Sequence, residues 1–446
     1  MFHYDQQMTD LIFAYCRDRL SEDPVPLDFP GDGAKLAAAL EGMISAGGHD
    51  AAKVLGVFAA DLAPAVISCD SPRFLSFIPA APTKAALLFD MVVSCSCLQG
   101  TSWLEAAGAV AAENQVLRLL SDLAGLPPQA GGVFVSGGSA GNLSALVVAR
   151  DTAPQRGHTS EGRPLVAVSD QAHSSIASAL RVMGVGALVV PGVGHRLTGA
   201  ALRAALAEHP GARDVIAVVA TSGTTNAGLI DDLAGVAEVA KEYRLWMHVD
   251  GAYGGAGLFS PQLRPRYEGL EHADSFVVDP HKWLFAPFDC ASLIYREPAL
   301  ARSVHTQDAS YLDVLHTQAD WNPSDFAYHL TRRARGLALW FSLAVNGTDA
   351  YGDAVDQAIT LARRVAERIT ELPHLELIME PELSVVLFRR RGWGPDDYQA
   401  WTDEMLRAQV GFVTPTKWEG ETVGRFAFLH PDTTLEMVDE MLALTA

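Results

Sequence analysis

Short apolar runs alternate with alanine-rich segments from residue 71 to about residue 340, and this alternation limits the fold more than any other feature. The runs Val215–Ala220 and Phe276–Val278 carry no charge, whereas Gly235–Tyr243 between them mixes alanine and charged residues at helical spacing. Strands that are apolar on both faces and separated by helices are typical of a parallel sheet covered by helices on both sides. The sequence therefore predicts an α/β fold for this region.

The regions on either side of this alternation have a different pattern. Helical periodicity dominates residues 3–66, and a long helical stretch, Ser342–Leu372, leads to the strand-like runs Leu383–Phe388 and Gly424–Leu429. We therefore expect three parts of the chain. They are an N-terminal helical segment (1–70), a large α/β domain with a mainly parallel sheet (71–340) and a small C-terminal α/β domain (341–446).

Composition narrows the class of protein. The chain has 446 residues, of which 49% are hydrophobic, so it is long enough for a substantial core. A net charge of −20 repels nucleic-acid phosphates and anionic lipid, and we expect neither as a partner. Five cysteines without a secretory leader predict reduced thiols and a cytoplasmic location. The cysteines and histidines lack the spacing of metal ligands, and we expect no metal site.

Polar clusters follow several of the apolar runs at the point where each run ends. In an open α/β sheet, ligands bind at the carboxyl ends of the strands, so these clusters are expected to face one crevice. The clusters are Ser136–Asn142, Asp170–Ser175, Thr221–Thr225, Asp250 and Asp279–Lys282.

A lysine and a carboxylate in these clusters carry the chemistry. Lys282 lies at the edge of an apolar run, and Asp250 ends the run Leu245–Val249. Taken singly, Lys282 could be a strand-end lysine that reaches into water, and Asp250 could be a helix cap or turn residue. Together they can hold pyridoxal phosphate, the lysine as a Schiff base and the aspartate by keeping the pyridine nitrogen protonated. This pair predicts amino-acid chemistry.

Two further clusters suit the remainder of that cofactor. Ser136–Ser139 is a glycine-containing turn between an apolar run and a helical segment, and such turns bind phosphate at the helix N-terminus. Alone, it could equally be an ordinary strand-to-helix connection. His173 could lie flat on a pyridine ring, or it could be a hydrogen-bonded structural histidine.

Five stretches of the chain resemble the group II pyridoxal-phosphate-dependent amino-acid decarboxylases, which include aromatic-L-amino-acid, glutamate and histidine decarboxylases. The resemblance runs from about Ser71 to the C-terminus, and it implies a fold type I enzyme that forms a homodimer with active sites at the interface. The N-terminal segment would pack against the partner. The matching stretches are Ser136–Asn142, Asp170–Ser175, Thr221–Thr225, His248–Gly255 and Asp279–Leu284.

The resemblance also implies roles for individual residues. Lys282 would bind the cofactor covalently, Asp250 would pair with the pyridine nitrogen and His173 would stack on the ring. Gly138, Ser139 and His281 would contact the phosphate, while Thr225 and Ala252 would line the ring pocket. The substrate side chain would meet Phe77, Ile78, Pro79, Gln99, Thr101 and Trp103.

Gln99 and Thr101 stand where bulkier apolar residues occur in the aromatic enzymes, which predicts a more polar or differently shaped pocket. Arg425 matches an arginine that approaches the substrate, although it could also be a surface arginine on an edge strand. The cluster Arg332–Arg335 is expected to form structural ion pairs.

The predicted reaction is decarboxylation of an L-amino acid, aromatic or related. One departure from the family concerns the general acid, because the position expected for a loop tyrosine, counted back from Arg332 and Arg333, is Pro323. Tyr328 is only four residues before Arg332, so His173 or Lys282 could replace the tyrosine, or an insertion or deletion in the loop could restore one in space. We expect residues 307–328 to form a mobile lid with Pro323 at its centre.

Slow protonation would let dioxygen intercept the carbanion, and the alternative activity is therefore oxidative deamination to an aldehyde, ammonia and hydrogen peroxide. An aminotransferase or aldolase would use the same lysine and aspartate but would not be expected to share the motifs around Asp279–Trp283 and Asp170–His173. A non-catalytic binding protein is a further alternative.

Overall fold

The structure is a computed structural model that describes residues 2–79, 81–159, 162–307 and 321–446. The chain divides into two compact units. The first contains Met1–Pro79, Arg364–Met379 and Leu387–Ala446, and the second contains Ala80–Arg363 and Glu380–Val386. N-terminal and C-terminal residues thus share one unit, and the three-part division expected from the sequence stays a prediction.

The N-terminal part of the first unit is helical, as its periodicity predicts. Asp5, Asp32 and Asp50 each precede a helix and accept a hydrogen bond from a first-turn amide, which is how an N-cap satisfies otherwise unpaired backbone donors. The helices are α1 (Gln6–Ser21), α2 (Gly33–Leu40) and α3 (Ala51–Val57), the last continued by one π-helical turn at Phe58–Leu62.

The second unit is built on a seven-stranded sheet in the order β1-β7-β6-β5-β4-β2-β3. Its strands are β1 (Gly131–Val135), β2 (Leu165–Ser169), β3 (Gly186–Val190), β4 (Val215–Thr221), β5 (Trp246–Asp250), β6 (Ser275–Val278) and β7 (Ala291–Tyr295). Its helices are α4 (Lys84–Cys95), α5 (Trp103–Leu123), α6 (Gly138–Thr152), α7 (Ser174–Met183), α8 (Gly199–Glu208), α9 (Leu233–Tyr243) and α10 (Pro298–His305).

The mainly parallel sheet expected from the sequence is confirmed. Strands β2 to β6 pair in parallel, whereas β7 is antiparallel to both β6 and β1. No α-helix separates β6 from β7, and a short connection without a crossover helix suits an antiparallel pair. That connection, residues 279–290, carries Lys282.

The core follows from the apolar strands. Every residue of β4 and β5 is buried, and α6 packs its alanine and valine side chains against the sheet. Because α6 starts directly after β1, its first turn lies at the carboxyl ends of the parallel strands. This placement brings the Ser136–Asn142 turn to the edge where the other polar clusters end.

The C-terminal part contains a four-stranded sheet in the order β10-β11-β9-β8. Its strands are β8 (Leu375–Leu377), β9 (Val385–Arg390), β10 (Thr416–Trp418) and β11 (Glu421–Ala427), so two predicted strands are confirmed with shifted ends. The remaining α-helices of the described residues are α11 (Leu337–Glu371), α12 (Pro395–Arg407) and α13 (Leu435–Ala443). The helix predicted over Ser342–Leu372 corresponds to α11, which breaks at Gly347 where φ is +78°. Within the described ranges, no helix is both long and apolar enough to cross a lipid bilayer.

Candidate active site

A cavity of about 430 Å³ opens at the carboxyl ends of the parallel strands in the second unit. It brings together every residue that the resemblance assigned to the cofactor: Gly138, Ser139, His173, Thr225, Asp250, Ala252, His281 and Lys282. These residues come from five separate stretches of sequence, each of which follows a strand. The convergence is what the position of polar clusters at strand ends predicts.

Lys282 is held at the cavity wall by its neighbours in the β6–β7 connection. Its Nζ lies 2.9 Å from Oδ2 of Asp279, a carboxylate that is 2% exposed, and the lysine side chain itself is 24% exposed. The backbone amide of Lys282 also donates to the Asp279 carbonyl, which closes a turn. The lysine therefore points into the cavity with a charged partner, and it does not extend into solvent.

His281 stands beside the same carboxylate. Its Nε2 lies 3.6 Å from Asp279 Oδ2, and its Nδ1 accepts a hydrogen bond from the Cys290 amide. Burial lowers the pKa of His281, and the nearby Asp279 charge opposes that shift. A neutral His281 that accepts at Nδ1 carries its proton on Nε2, the nitrogen nearer to Asp279.

Asp250 ends β5 as a buried carboxylate. Asn142 Nδ2 donates to Oδ2 at 2.8 Å, and the Ala252 amide donates to Oδ1 at 3.1 Å. The second bond is the turn contact that the alternative interpretation of Asp250 predicts. The first comes from α6, so the carboxylate is fixed from two sides.

His173 is the N-cap of α7 and also lines the cavity. Its Nδ1 accepts from the Ser175 amide at 3.2 Å and lies 2.9 Å from Ser175 Oγ. His173 is therefore a hydrogen-bonded structural residue whose ring borders the site, and its stacking on a pyridine ring stays a prediction.

The N-terminus of α6 suits an anion. No side chain caps it at Gly137, and a Cβ added to Gly138 would lie 3.0 Å from both Ala252 Cβ and Asp279 Oδ2. Only glycine leaves the backbone accessible there. Uncapped amides at the positive end of a helix dipole bind phosphate groups.

Several cavity residues are missing from the sequence-based set. They are Ser136, Gly137, Asn142, Ser175, Thr221, Gly223, Tyr253, Asp279, Phe288 and Asp289. Most of them belong to the motifs quoted above, so their closeness in sequence to the predicted site residues could have identified them. Phe288 and Asp289 lie outside every motif, and no sequence pattern marks them.

The residues predicted for the substrate side chain are not gathered in this cavity. Thr101 is buried, and its carbonyl accepts from the Ser324 amide; the Trp103 amide donates to Asn322 Oδ1. Gln99 pairs through its backbone with Arg333. None of the three lines the cavity as the described residues form it, and their role stays a prediction.

Phe77, Pro79 and Arg425 belong to the first unit. Arg425 is 4% exposed on β11, and its Nη1 donates to the Phe77 carbonyl at 2.9 Å. The alternative of a surface arginine is therefore wrong, because the guanidinium is buried. The predicted role of these residues in substrate binding stays a prediction.

The arginine cluster forms ion pairs, as expected. Arg332 pairs with the buried Glu113 at 2.7 Å, and Arg335 pairs with Asp289 at 3.0 Å. Arg333 pairs with Asp90. The Arg335 pair reaches the cavity wall through Asp289.

The prediction of a mobile lid centred on Pro323 is wrong for the residues that can be described. Residues 322–327 are buried, and Pro323 begins a 3₁₀ turn. Trp321 stacks on Phe326 and donates to the Gly132 carbonyl, and Asp325 pairs with Arg302. The apolar and charged partners of this segment make it a packed element. Residues 308–320 of the expected lid lie outside the described residues.

Comparisons with known proteins identify the family of this chain. The model of the pyridoxal-dependent decarboxylase conserved domain matches residues 35–391. The chain belongs to this family. It is 28% identical over 459 aligned positions to aromatic-L-amino-acid decarboxylase of Bacillus atrophaeus, covering 99% of this chain and 94% of the relative. It is 33% identical over 384 positions to L-2,4-diaminobutyrate decarboxylase of Rhizobium meliloti (strain 1021), covering 83% and 76%.

The fold is shared with solved structures. The crystal structure of Oryza sativa TDC with pyridoxal phosphate and tryptamine superposes with a TM-score of 0.91 at 23% identity, over 99% of this chain and 97% of that one. Membership in the pyridoxal-dependent decarboxylase family makes the protein a pyridoxal-phosphate-dependent amino-acid decarboxylase.

The cavity fits this cofactor by its own chemistry. It offers an uncapped helix N-terminus for a phosphate, a lysine for an aldehyde and a buried carboxylate for a ring nitrogen. It also contains polar atoms without a hydrogen-bond partner among the described residues: Thr221 Oγ1 and Asp279 Oδ1 lie buried at its wall. Buried polar atoms are normally paired, so these atoms indicate a ligand.

Proposed function

We propose that the protein decarboxylates an L-amino acid with an aromatic or related side chain, with Lys282, Asp250 and His173 as its catalytic residues. One observation carries the proposal: the amine of Lys282, the carboxylate of Asp250 and the N-terminus of α6 border a single cavity. The family supplies the reaction class, and the residue roles below are inferred from position and chemistry.

Pyridoxal phosphate, when bound, withdraws electrons from the bond between the α-carbon and the carboxyl group. Lys282 would hold the aldehyde end, while the α6 amides at Gly138 and Ser139, with His281, would hold the phosphate. Asp250 would keep a proton on the ring nitrogen, because a carboxylate stabilises a cationic N–H more strongly than a neutral group does.

His173 is suited to move a proton. Its Nδ1 accepts from Ser175, so a neutral His173 carries its proton on Nε2. A donor at that nitrogen, in a cavity wall that includes Thr225 and Ala252, could protonate the α-carbon after CO₂ has left.

An aromatic substrate is favoured over a diamino acid by the outer wall of the cavity. Phe288 is exposed there beside the His281 ring, with ring centroids 5.1 Å apart, and offers an apolar surface for an aromatic side chain. Asp289, which could attract a side-chain ammonium, already pairs with Arg335. The side-chain ammonium of a diamino acid would therefore meet an Asp289 carboxylate whose charge Arg335 already neutralises.

The test is release of labelled CO₂ from carboxyl-labelled amino acids by the enzyme with added pyridoxal phosphate. We expect release from one or more of tryptophan, tyrosine, phenylalanine and dihydroxyphenylalanine. Release from 2,4-diaminobutyrate or glutamate alone would refute the proposed substrate class, and no release from any of them would refute the proposed function.

The aldehyde-forming alternative is favoured by one observation. Among the lining residues that the structure describes, the tyrosine is Tyr253, whose hydroxyl is engaged with Ser384 at 2.6 Å. Residues 307–328, where a tyrosine general acid is expected, contain Tyr328 and also Tyr311, which lies outside the described residues. Amine, aldehyde and hydrogen peroxide measured together under air for wild type, Tyr311→Phe and Tyr328→Phe would show which fate prevails. If the hydrogen peroxide formed equals the CO₂ released, the activity is the oxidative reaction and not simple decarboxylation.

We also infer a homodimer in the cytoplasm. The helices of the N-terminal segment expose apolar side chains, among them Ile12, Phe13 and Phe58, which a second copy would cover. The structure shows no disulfide among its described cysteines, which suits a reducing compartment. Sedimentation at micromolar concentration tests the first inference, and a species with the mass of one chain would contradict it.

A further inference from the structure

Three alternate residues of β5 lie on one face of the sheet and connect through hydrogen bonds. Because successive side chains of a strand point to opposite faces, Trp246, His248 and Asp250 share the face that packs against α6. His248 is buried completely, and so is its neighbour on β6, Ser275. Asn142, on α6, is also buried and lies between His248 and Asp250.

The direction of each hydrogen bond follows from the carboxylate. Asp250 can only accept when ionised, so Asn142 turns its Nδ2 toward Asp250 at 2.8 Å and its Oδ1 toward His248 Nε2, also at 2.8 Å. His248 Nε2 must then carry a proton. Burial lowers the pKa of His248 to about 4, so the ring is neutral near pH 7 and its Nδ1 is an acceptor.

Ser275 supplies the matching donor. Trp246 Nε1 donates to Ser275 Oγ at 2.8 Å, which leaves the serine hydroxyl proton for His248 Nδ1 at 2.8 Å. The chain of bonds from Trp246 to Asp250 therefore has one consistent direction. The two ends of an amide have nearly the same shape, and His248 selects which end of Asn142 faces the carboxylate.

The same amide also controls His173. The second N–H of Asn142 donates to Ser175 Oγ at 3.0 Å, and Ser175 then turns its own proton toward His173 Nδ1 at 2.9 Å. A reversed Asn142 would set its oxygen against the Asp250 carboxylate and remove the donor to Ser175. Both catalytic side chains thus depend on one amide orientation.

We propose that His248 is a positioning residue: its Nε2–H holds the Asn142 amide in the orientation that donates to Asp250 and Ser175 together, and this fixes the charged partner of the ring nitrogen and the tautomer of His173. This inference rests on the proposed roles of Asp250 and His173. It adds a residue that touches neither substrate nor cofactor but acts through Asn142.

Two nearly isosteric variants separate this role from simple packing. The glutamine of His248→Gln retains an N–H donor toward Asn142, whereas the methionine of His248→Met fills the same space without one. The readouts are the dissociation constant for pyridoxal phosphate and the pH midpoint of the absorption band of the holoenzyme, both measured without an amino-acid substrate. Thermal unfolding of each variant is recorded beside them.

We expect His248→Met to bind pyridoxal phosphate about tenfold more weakly and to shift the midpoint by about one pH unit, the effect of one hydrogen bond to a charged group. His248→Gln should remain within about threefold of wild type, because a donor is retained. Equal effects of the two variants, or lower thermal stability with an unchanged midpoint, would overturn the proposal.

A third variant covers the case in which His248→Met does not fold. Ser275→Ala removes the donor to His248 Nδ1 from the far end of the network, and we expect a midpoint shift of the same sign but smaller size. A folded Ser275→Ala holoenzyme with the wild-type midpoint would also overturn the proposal. Failure of wild type to bind pyridoxal phosphate would instead refute the proposed function, so the two failures are distinct.

Discussion

The two edges of the seven-stranded sheet differ in how their polar side chains are hydrogen-bonded. At the amino-terminal edge, a cleft of about 850 Å³ contains Arg156 and Asp274, paired at 2.6 Å, and Asp274 also accepts from the Met247 amide. At the carboxyl edge, the cavity of about 430 Å³ is bordered by buried oxygens with no partner in the described chain, among them Asp279 Oδ1 and Thr221 Oγ1.

The comparison shows that the larger of two cavities need not be the one that binds a ligand. The larger cleft has its central charges neutralised by one another, and Arg156 also stacks 4.8 Å above the Trp246 ring. The smaller cavity keeps hydrogen-bonding capacity unused, which costs stability unless a ligand takes it up. Four experiments test this contrast.

The largest effect is expected for the lysine at the carboxyl edge. Lys282→Ala should remove the absorption band that borohydride abolishes and reduce CO₂ release to background, because no other amine is held beside Asp279 within the described part of the site. The control is Lys241→Ala, a lysine that lines the amino-edge cleft. Loss of the band in both variants, or in neither, would break the comparison.

The next effect concerns two aspartates, one at each edge of the sheet. Asp250→Asn should still bind pyridoxal phosphate but lose at least about a hundredfold in turnover, since an amide cannot stabilise a protonated ring nitrogen as a carboxylate does. Asp274→Asn at the opposite edge should keep turnover within about twofold. The measurement is initial-rate CO₂ release at saturating cofactor, and near-normal turnover of Asp250→Asn would show that Asp250 has another role.

The sequence was sufficient to predict which side chains meet at the carboxyl edge, because each candidate side chain ends an apolar strand or follows it within a few residues. Lys282, Asp250 and His173 needed no knowledge of long-range packing, since parallel strands end at one edge whatever their order. Pro323 shows the opposite case. Its segment is polar enough to suggest a lid, but the contacts of Trp321 with Gly132 and Asp325 with Arg302 decide its burial.

The network behind Asp250 also lies beyond sequence reasoning. Asn142 and His248 are 106 residues apart, and the direction of their hydrogen bond depends on Ser275, a third element. Such pairings arise only when the helix α6 packs on β5. The periodicity of β5 does predict that Trp246, His248 and Asp250 share a face, but not which partners meet them.

A third test uses pH, because His248 is buried on β5 between Trp246 and Asp250. Burial lowers its pKa from 6.5 to about 4, so the folded state takes up a proton less readily than the unfolded state. The stability from this group is complete above pH 6.5 and falls as the pH decreases toward 4, by about 3 kcal/mol in all.

The measurement is urea unfolding of wild type and His248→Gln across this pH range. The difference between the two curves isolates His248, since burial also raises the pKa of Asp231 to about 7 and that group changes stability in the opposite direction. Wild type should lose stability more steeply than the variant below pH 6.5. Parallel curves would show that His248 takes up its proton as readily in the folded state as in the unfolded state.

The smallest effect is expected at the amino-terminal edge, where Arg156 and Asp274 are partly exposed and satisfy each other. Burial raises the pKa of Asp274 and Arg156 opposes that rise, so each group mainly offsets the cost of burying the other. In a double-mutant cycle of Arg156→Met and Asp274→Asn, we expect a coupling of about 1 kcal/mol in the free energy of unfolding. Cofactor affinity should stay within about twofold in all three variants, because neither group reaches the carboxyl edge.

A tenfold loss of cofactor affinity in Arg156→Met, with the fold intact, would mean that the Trp246 ring beneath Arg156 transmits changes through Ser275 and His248 to Asp250. The two edges would then form one functional system, and the contrast between a satisfied and an unsatisfied edge would have to be replaced by a single hydrogen-bonded path across the sheet.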